Sequence, residues 1–208
     1  MAKTSSLQLA ASPVPDHRLA LSEALDALVE DGMVARADAD QLIADRRMHR
    51  GEHHPLVVIA DRKWKSQQPP HKLMGLEWLT EWLAGKVGMP YYQVDPLKIN
   101  FSAVTDVMSS AYATRFRILP VEVTTREVVV ATCEPYIKDW EKELKPILRL
   151  EIRRVLANPE DIGRYQVEFY NLARSIKGAE KTGEQRSGLG NFEQLVEMGR
   201  ANRPLDAN

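Results

Sequence analysis

The order of elements between Leu76 and Thr132 constrains this chain more than any other feature. Leu76, Leu79, Leu83 and Val87 mark one face of a helix of about three turns, with Trp78 and Trp82 paired four residues apart on an adjoining face. Gly88 stops that helix and Pro90 forces an extended exit, so Tyr91 to Val94 is expected to enter a strand. A further helix is expected over 101–114, carrying Val104, Val107, Met108 and Ala111. Strands at 117–124 and 127–132 follow, joined by Thr124, Thr125 and Arg126 as a hairpin connection, with Pro120 demoting the first to a sheet edge or placing a bulge in it. Helix, extended exit, helix and hairpin in this order describe a small α+β module.

The module continues past Glu134 and Pro135, which break the second strand. A charged helix is expected over 137–145 and a third strand over 150–156. Asn158, Pro159, Glu160 and Asp161 then supply an N-cap, a proline at the first helical position and acids in the first turn. Ile162, Tyr165, Phe169 and Leu172 recur at helical spacing behind them. After Ser175 the composition turns to Lys, Gly, Glu, Thr and Ser, read as a flexible linker with a short helix at 191–200.

Upstream, Leu21, Leu25, Leu28 and Val29 fall on one helical face, with Asp16 or Ser22 as candidate caps and Gly32 as the stop. A second, more polar helix at 36–49 uses Ala39, Leu42 and Ile43, giving a helical hairpin that needs something to dock against. Residues 56–60 are an apolar run that suits either a buried strand or a helical turn, and 63–72 reads as an exposed hinge. The expected organisation is therefore a disordered leader at 1–15, a helical subdomain at 16–66, an α+β domain with a three- to four-stranded sheet at 73–173, and a linker at 174–208.

Charge narrows the function classes. Twenty-eight basic and 29 acidic residues leave a net charge of −1, which removes the global electrostatic case for binding nucleic acid or a membrane surface. The one cysteine, Cys133, sits at the end of a strand without an organised His and Asn or Asp context, so it is read as a buried filler. His49, Glu52 and His53 match the H-x-x-E-H pattern of one class of zinc peptidases. Gly51 inside that pattern and Pro55 just after it end the helix that would align the histidines, which favours a solvated basic helix end. Neither motif points to catalysis.

The run from Leu76 to Tyr91, the Asp95-Pro96-Leu97 that follows, Arg117 to Val123, Val128 to Thr132 and the closing Asn158-Pro159-Glu160-Asp161-Ile162 together resemble the N-terminal domain of type II secretion and type IV pilus assembly ATPases. Glu134-Pro135 departs from that pattern, where Asp-Pro is common. The phosphate loop G-x-x-x-x-G-K-[ST] that such an ATPase needs is absent from the chain, as is the family's zinc-binding cysteine cluster. The resemblance implies a docking and regulatory domain that does not itself hydrolyse ATP. It would lie in the cytoplasm, peripheral to the inner membrane, and link the hexameric motor to the cytoplasmic part of a membrane platform protein, with no cofactor of its own and no contact with nucleic acid.

Some domains of that family bind cyclic di-GMP through tandem Arg-Leu-Gly motifs. Here Leu28, Val29 and Gly32 keep the later half of the first motif, but Glu23 stands where arginine is expected and Leu25 where glycine is expected. In the second copy His53 and Pro55 occupy those positions. A cyclic di-GMP sensor and a zinc hydrolase are the alternatives to docking. The candidate docking residues are Leu21, Leu25 and Leu28 of the hairpin and the basic Arg46, Arg47 and Arg50.

Overall fold

A computed structural model describes residues 15–45 and 53–187, with side chains as far as Ile176. Among the described residues the fold is α+β, with eight α-helices and a three-stranded mixed sheet. Four helices come first: α1 (Leu21–Glu30), α2 (Arg36–Ala44), α3 (Pro55–Ala60) and α4 (Leu76–Val87). The ambiguous apolar run at 56–60 is thus a helical turn. His54 accepts a hydrogen bond from the Leu56 amide at its start and Pro55 fills the first position, where a missing N–H costs nothing.

These helices share one core built on Leu25, Leu28, Leu42, Leu56, Ile59, Leu79 and Leu83. The stretch at 63–72 therefore does not separate two packing units. It folds back on itself, the Ser66 amide bonding the Lys72 carbonyl and the Met74 amide the Trp64 carbonyl, and returns the chain to the same core. Trp64, Trp78 and Trp82 lie half-buried against that core, and the Trp82 indole donates to Asp31 at 2.8 Å. Helix α4 ends as expected on Gly88 at φ +67°, the left-handed residue that a C-terminal cap requires.

Beyond α4 the expected strand at 91–94 shrinks to a bridge between Tyr91 and Leu156. The Tyr92 amide bonds the Leu156 carbonyl and the Leu156 amide bonds the Pro90 carbonyl, both at 2.8 Å. Asp95 then accepts from the Leu97 amide and bends the chain into a single 3-10 turn at Pro96–Lys98. The helix expected at 101–114 is two, α5 (Phe101–Val107) and α6 (Ser110–Phe116). Met108 is extended and Ser109 caps α6 by accepting from the Tyr112 amide, while the Met108 carbonyl is held by the Tyr170 hydroxyl. A serine cap inside an apolar-periodic stretch is the local signal of that break.

The sheet order is β1 (Ile118–Val123), β2 (Glu127–Thr132), β3 (Glu151–Leu156), with β1 antiparallel and β3 parallel to the central β2. Both consequences expected of Pro120 are present: β1 is an edge strand, and its register slips between Pro120 and Glu122. Helix α7 (Asp139–Leu148) carries the chain from β2 to β3. Val129 and Ala131 of β2 face a core with Leu119, Val155, Ile162 and Phe169, whereas Val128 and Val130 face another with Trp140, Leu144 and Tyr170. A strand covered on both faces needs a continuous apolar run, which is what Val-Val-Val-Ala supplies.

Helix α8 (Pro159–Ser187) is 29 residues long, so its last turns run into the segment expected as linker. Its buried face is Ile162, Gln166, Phe169, Tyr170 and Ala173, while Leu172 is 42% exposed.

Candidate functional site

The most consequential polar cluster lies where the helical core meets the sheet. Strand β2 runs out into Cys133 and Glu134, both buried. One carboxylate oxygen of Glu134 accepts from the Leu19 amide at 3.1 Å and the other from the Arg117 guanidinium at 3.3 Å. Burial raises the Glu134 pKa above the ordinary carboxylate value, opposed by the Leu19 amide and by the charges of Arg117 and Arg18. Arg117 reaches it from a left-handed residue, φ +52°, that ends α6.

His54 completes the cluster. Its Nδ1 accepts from the Leu56 amide, which leaves Nε2 to donate to the Cys133 carbonyl at 2.9 Å. Burial lowers its pKa to about 4, with the nearby Arg117 charge adding to the effect and the carbonyl bond opposing it, so at neutral pH the ring is uncharged. Burial likewise pushes the Cys133 thiol up to about 12, as does the neighbouring Glu134. The protonated thiol agrees with the filler role expected of it.

One ligand atom from each of His54, Cys133 and Glu134 lies within 4.8 Å of the others, a spacing that a metal ion would accept. Both imidazole nitrogens and both carboxylate oxygens, however, already hold protein partners across the junction. The chemistry of the donor set is that of a structural knot. It is His54, not His53, that is buried. His53 is exposed, and His49 and Glu52 of the zinc-like pattern lie outside the described residues.

Two further contacts tie the N-terminal segment to the sheet module. Asp16 accepts from the Lys138 and Asp139 amides at 2.5 and 2.6 Å, capping α7 from 122 residues away rather than starting α1. The start of α1 falls to Ala20, whose amide donates to Glu23. The His17 ring stacks on Tyr136 with centroids 4.7 Å apart.

Beside the knot opens a cavity of about 550 Å³, bordered by Arg18, His53, His54 and Val57, by Thr114, Arg115 and Arg117 around the end of α6, and by the first turns of α8. Gln166 lines it too, its amide nitrogen donating to the Ala113 and Ile118 carbonyls at 2.8 Å each.

Of the docking candidates, Leu25 and Leu28 are fully buried in the helical core and so cannot face a partner. An apolar stripe at helical spacing looks the same whether a core or a partner covers it. Leu21 is half-buried, and Arg46, Arg47 and Arg50 lie outside the described residues. Sequence reasoning did not single out His54, Gln166 or the bridging role of Glu134. A His-Pro pair before an apolar run and an acid closing an apolar strand were the available signals. Among the described residues no helix is long and apolar enough to cross a membrane.

Residues 87–176 match the MshEN domain model. Over 190 residues the chain is 34% identical to the type IV pilus assembly ATPase TfpB of Acinetobacter baylyi, covering 88% of this chain and 32% of that protein. The chain thus spans about a third of its relative's length. Two solved structures are more distantly similar. One, MshE with cdg, has a TM-score of 0.49 and 19% identity over 74% of this chain and 100% of that one. The other, the N-terminal domain of XpsE, has a TM-score of 0.43 and 15% identity over 72% and 96%.

Proposed function

We infer that this chain, which carries an MshEN domain and is homologous to the type IV pilus assembly ATPase TfpB, is the docking and regulatory part of such an ATPase, linking the motor to an inner-membrane platform protein. The observation that carries this is the identity of 34% maintained over 88% of the chain, which takes in the helical core as well as the MshEN domain. The matched region holds no phosphate loop, so its contribution to such a motor would be mechanical and regulatory rather than hydrolytic.

The geometry suits transmission of force. Glu134, Asp16 and His17 knit the N-terminal segment to the sheet module, so the helical core and the sheet would move together. Helix α8 extends about 43 Å at 1.5 Å per residue and would connect that body to a motor as a lever.

The outward side of the hairpin is the proposed docking face. With Leu25 and Leu28 in the core, the exposed residues on α1 are Ser22, Asp26 and Glu30, and Arg46, Arg47 and Arg50 follow α2 in sequence. Cyclic di-GMP sensing gains no support from α1, because Glu23, at the position expected for arginine, holds the Ala20 amide.

The test is co-purification of the chain with the cytoplasmic domains of platform proteins. Binding is expected, weakened by the paired charge reversal Asp26→Arg and Glu30→Arg. Absence of any complex, or a complex indifferent to that reversal, would overturn the proposed role or its proposed face, respectively. Calorimetry with cyclic di-GMP separates the alternative: micromolar binding would show a sensor.

A further inference from the structure

We propose that the open part of β3 pairs with β3 of a second copy of this chain, antiparallel about a two-fold axis at Ile152, joining the two sheets into one. This goes beyond the docking role and does not depend on it.

The hydrogen bonds at both ends of β3 fix which of its backbone groups point outward. The Glu151 amide bonds the Arg126 carbonyl and the Ala157 amide bonds the Thr132 carbonyl, so the odd-numbered residues turn their backbone groups towards β2. Leu156 uses its amide and carbonyl on the other side, with Pro90 and Tyr92. By the same alternation Ile152 and Arg154 direct their N–H and C=O groups away from the sheet, where no hydrogen bond from a described residue meets them. The first four residues of β3 are exposed or half-buried and only the last two are buried. An unpaired edge of this kind is a template for another strand.

The side chains select the occupant and its register. Symmetric antiparallel pairing of the outward groups can centre on Ile152, Arg153 or Arg154. Centring on Arg154 sets Ile152 against Leu156, whose backbone is already taken. Centring on Arg153 puts that guanidinium opposite its own copy, and like charges directly opposite destabilise a pair of strands. Centring on Ile152 sets Ile152 against itself and Glu151 against Arg153, once on each side of the axis. These charge pairs fall at the positions without backbone bonds, where facing side chains lie closest.

Both charged residues are exposed. Lys145 holds one Glu151 oxygen at 3.0 Å; Glu127 holds Nε of Arg153 at 2.7 Å, with Glu122 4.0 Å from one of its terminal nitrogens. The second Glu151 oxygen and the rest of the guanidinium are left to reach across the axis. On the α7 side, Ile152 meets its own copy, and Ile147 stands 73% exposed on the last turn of α7, just before β3 begins. The edge therefore complements itself in backbone, charge and apolar contact.

The experiment follows sedimentation velocity of the whole chain from micromolar to millimolar concentration, with hydrogen exchange read amide by amide and thermal melting to confirm that each variant is folded. The wild-type chain is expected to dimerise as its concentration rises, with exchange slowed at Ile152 and Arg154 in the dimer. Arg153→Glu alone and Glu151→Arg alone are each expected to weaken dimerisation at least about tenfold, because either change sets like charges opposite one another on both sides of the axis. An equimolar mixture of the two variants is expected to dimerise as tightly as the wild type, since every charge then meets its opposite. A chain that stays monomeric at millimolar concentration would overturn the proposal. So would a dimer indifferent to both single changes, a mixture no tighter than either variant alone, or exchange at Ile152 and Arg154 unchanged by dimerisation. Each of these results leaves the platform co-purification to stand or fall by itself.

Discussion

Protonating His54 should unlock the junction between the helical core and the sheet module. In the folded chain burial lowers its pKa from 6.5 to about 4, so the unfolded chain binds the proton more tightly throughout that interval. Stability therefore falls as the pH drops from about 6.5 towards 4 and is fully present above 6.5. The shift from 6.5 to about 4 sets a ceiling of about 3 kcal/mol, of which about 2 kcal/mol is lost between pH 7 and pH 4.5. Glu134 acts in the opposite sense, because its raised pKa makes its ionised form the costly one and favours the fold as pH falls. Total stability thus mixes the two, and a variant is needed to isolate the histidine. His54→Gln keeps a donor for the Cys133 carbonyl but does not titrate. Urea unfolding followed by the fluorescence of the four tryptophans, at pH 7 and at pH 4.5, gives the comparison. The wild-type chain should lose about 2 kcal/mol more than the variant between those two values. Parallel losses within about 0.5 kcal/mol, or an NMR titration placing His54 near 6.5, would refute the reasoning.

Three other expectations concern single contacts. Asp16→Ala should cost about 1 kcal/mol by uncapping α7, whereas Asp16→Asn should recover most of it, as chemical denaturation would reveal. Gly88→Ala should cost roughly 1–2 kcal/mol through backbone strain alone, since its Cβ would meet open space; a melting temperature equal to wild type would contradict the left-handed cap. Trp140→Ala removes a side chain with no exposed surface and should cost about 3–5 kcal/mol, seen as a large drop in the urea midpoint.

What was legible in the sequence was local. The stop at Gly88, the Val-Val-Val-Ala strand, the edge and bulge at Pro120 and the start at Asn158 all follow from residues within a few positions of one another. The break at Ser109 was equally local but was masked by apolar spacing that ran straight through it. The junction was not legible, because its contacts join residues 115, 79 and 122 positions apart. Nothing in the spacing of Asp16 tells that its helix to cap is α7. Nor does an apolar stripe such as Leu21, Leu25 and Leu28 announce whether its cover is the chain's own core or a partner. The same amphipathic logic therefore found the helix but could not tell that Leu25 and Leu28 are covered by the chain itself.

The sheet's edges also decide how this module can be recognised. An incoming strand that tried to extend the sheet at β1 would meet Pro120, which has no N–H to offer, and a slipped register beside it. At the far side the backbone at 90–92 already occupies the end of β3 through its bonds to Leu156. Recognition by strand addition, which lends many peptide-binding domains their affinity, is thus poorly served at β1 and at the end of β3. A partner that engages those two places has to read side chains rather than backbone, where specificity is written residue by residue and a charge reversal is enough to erase it.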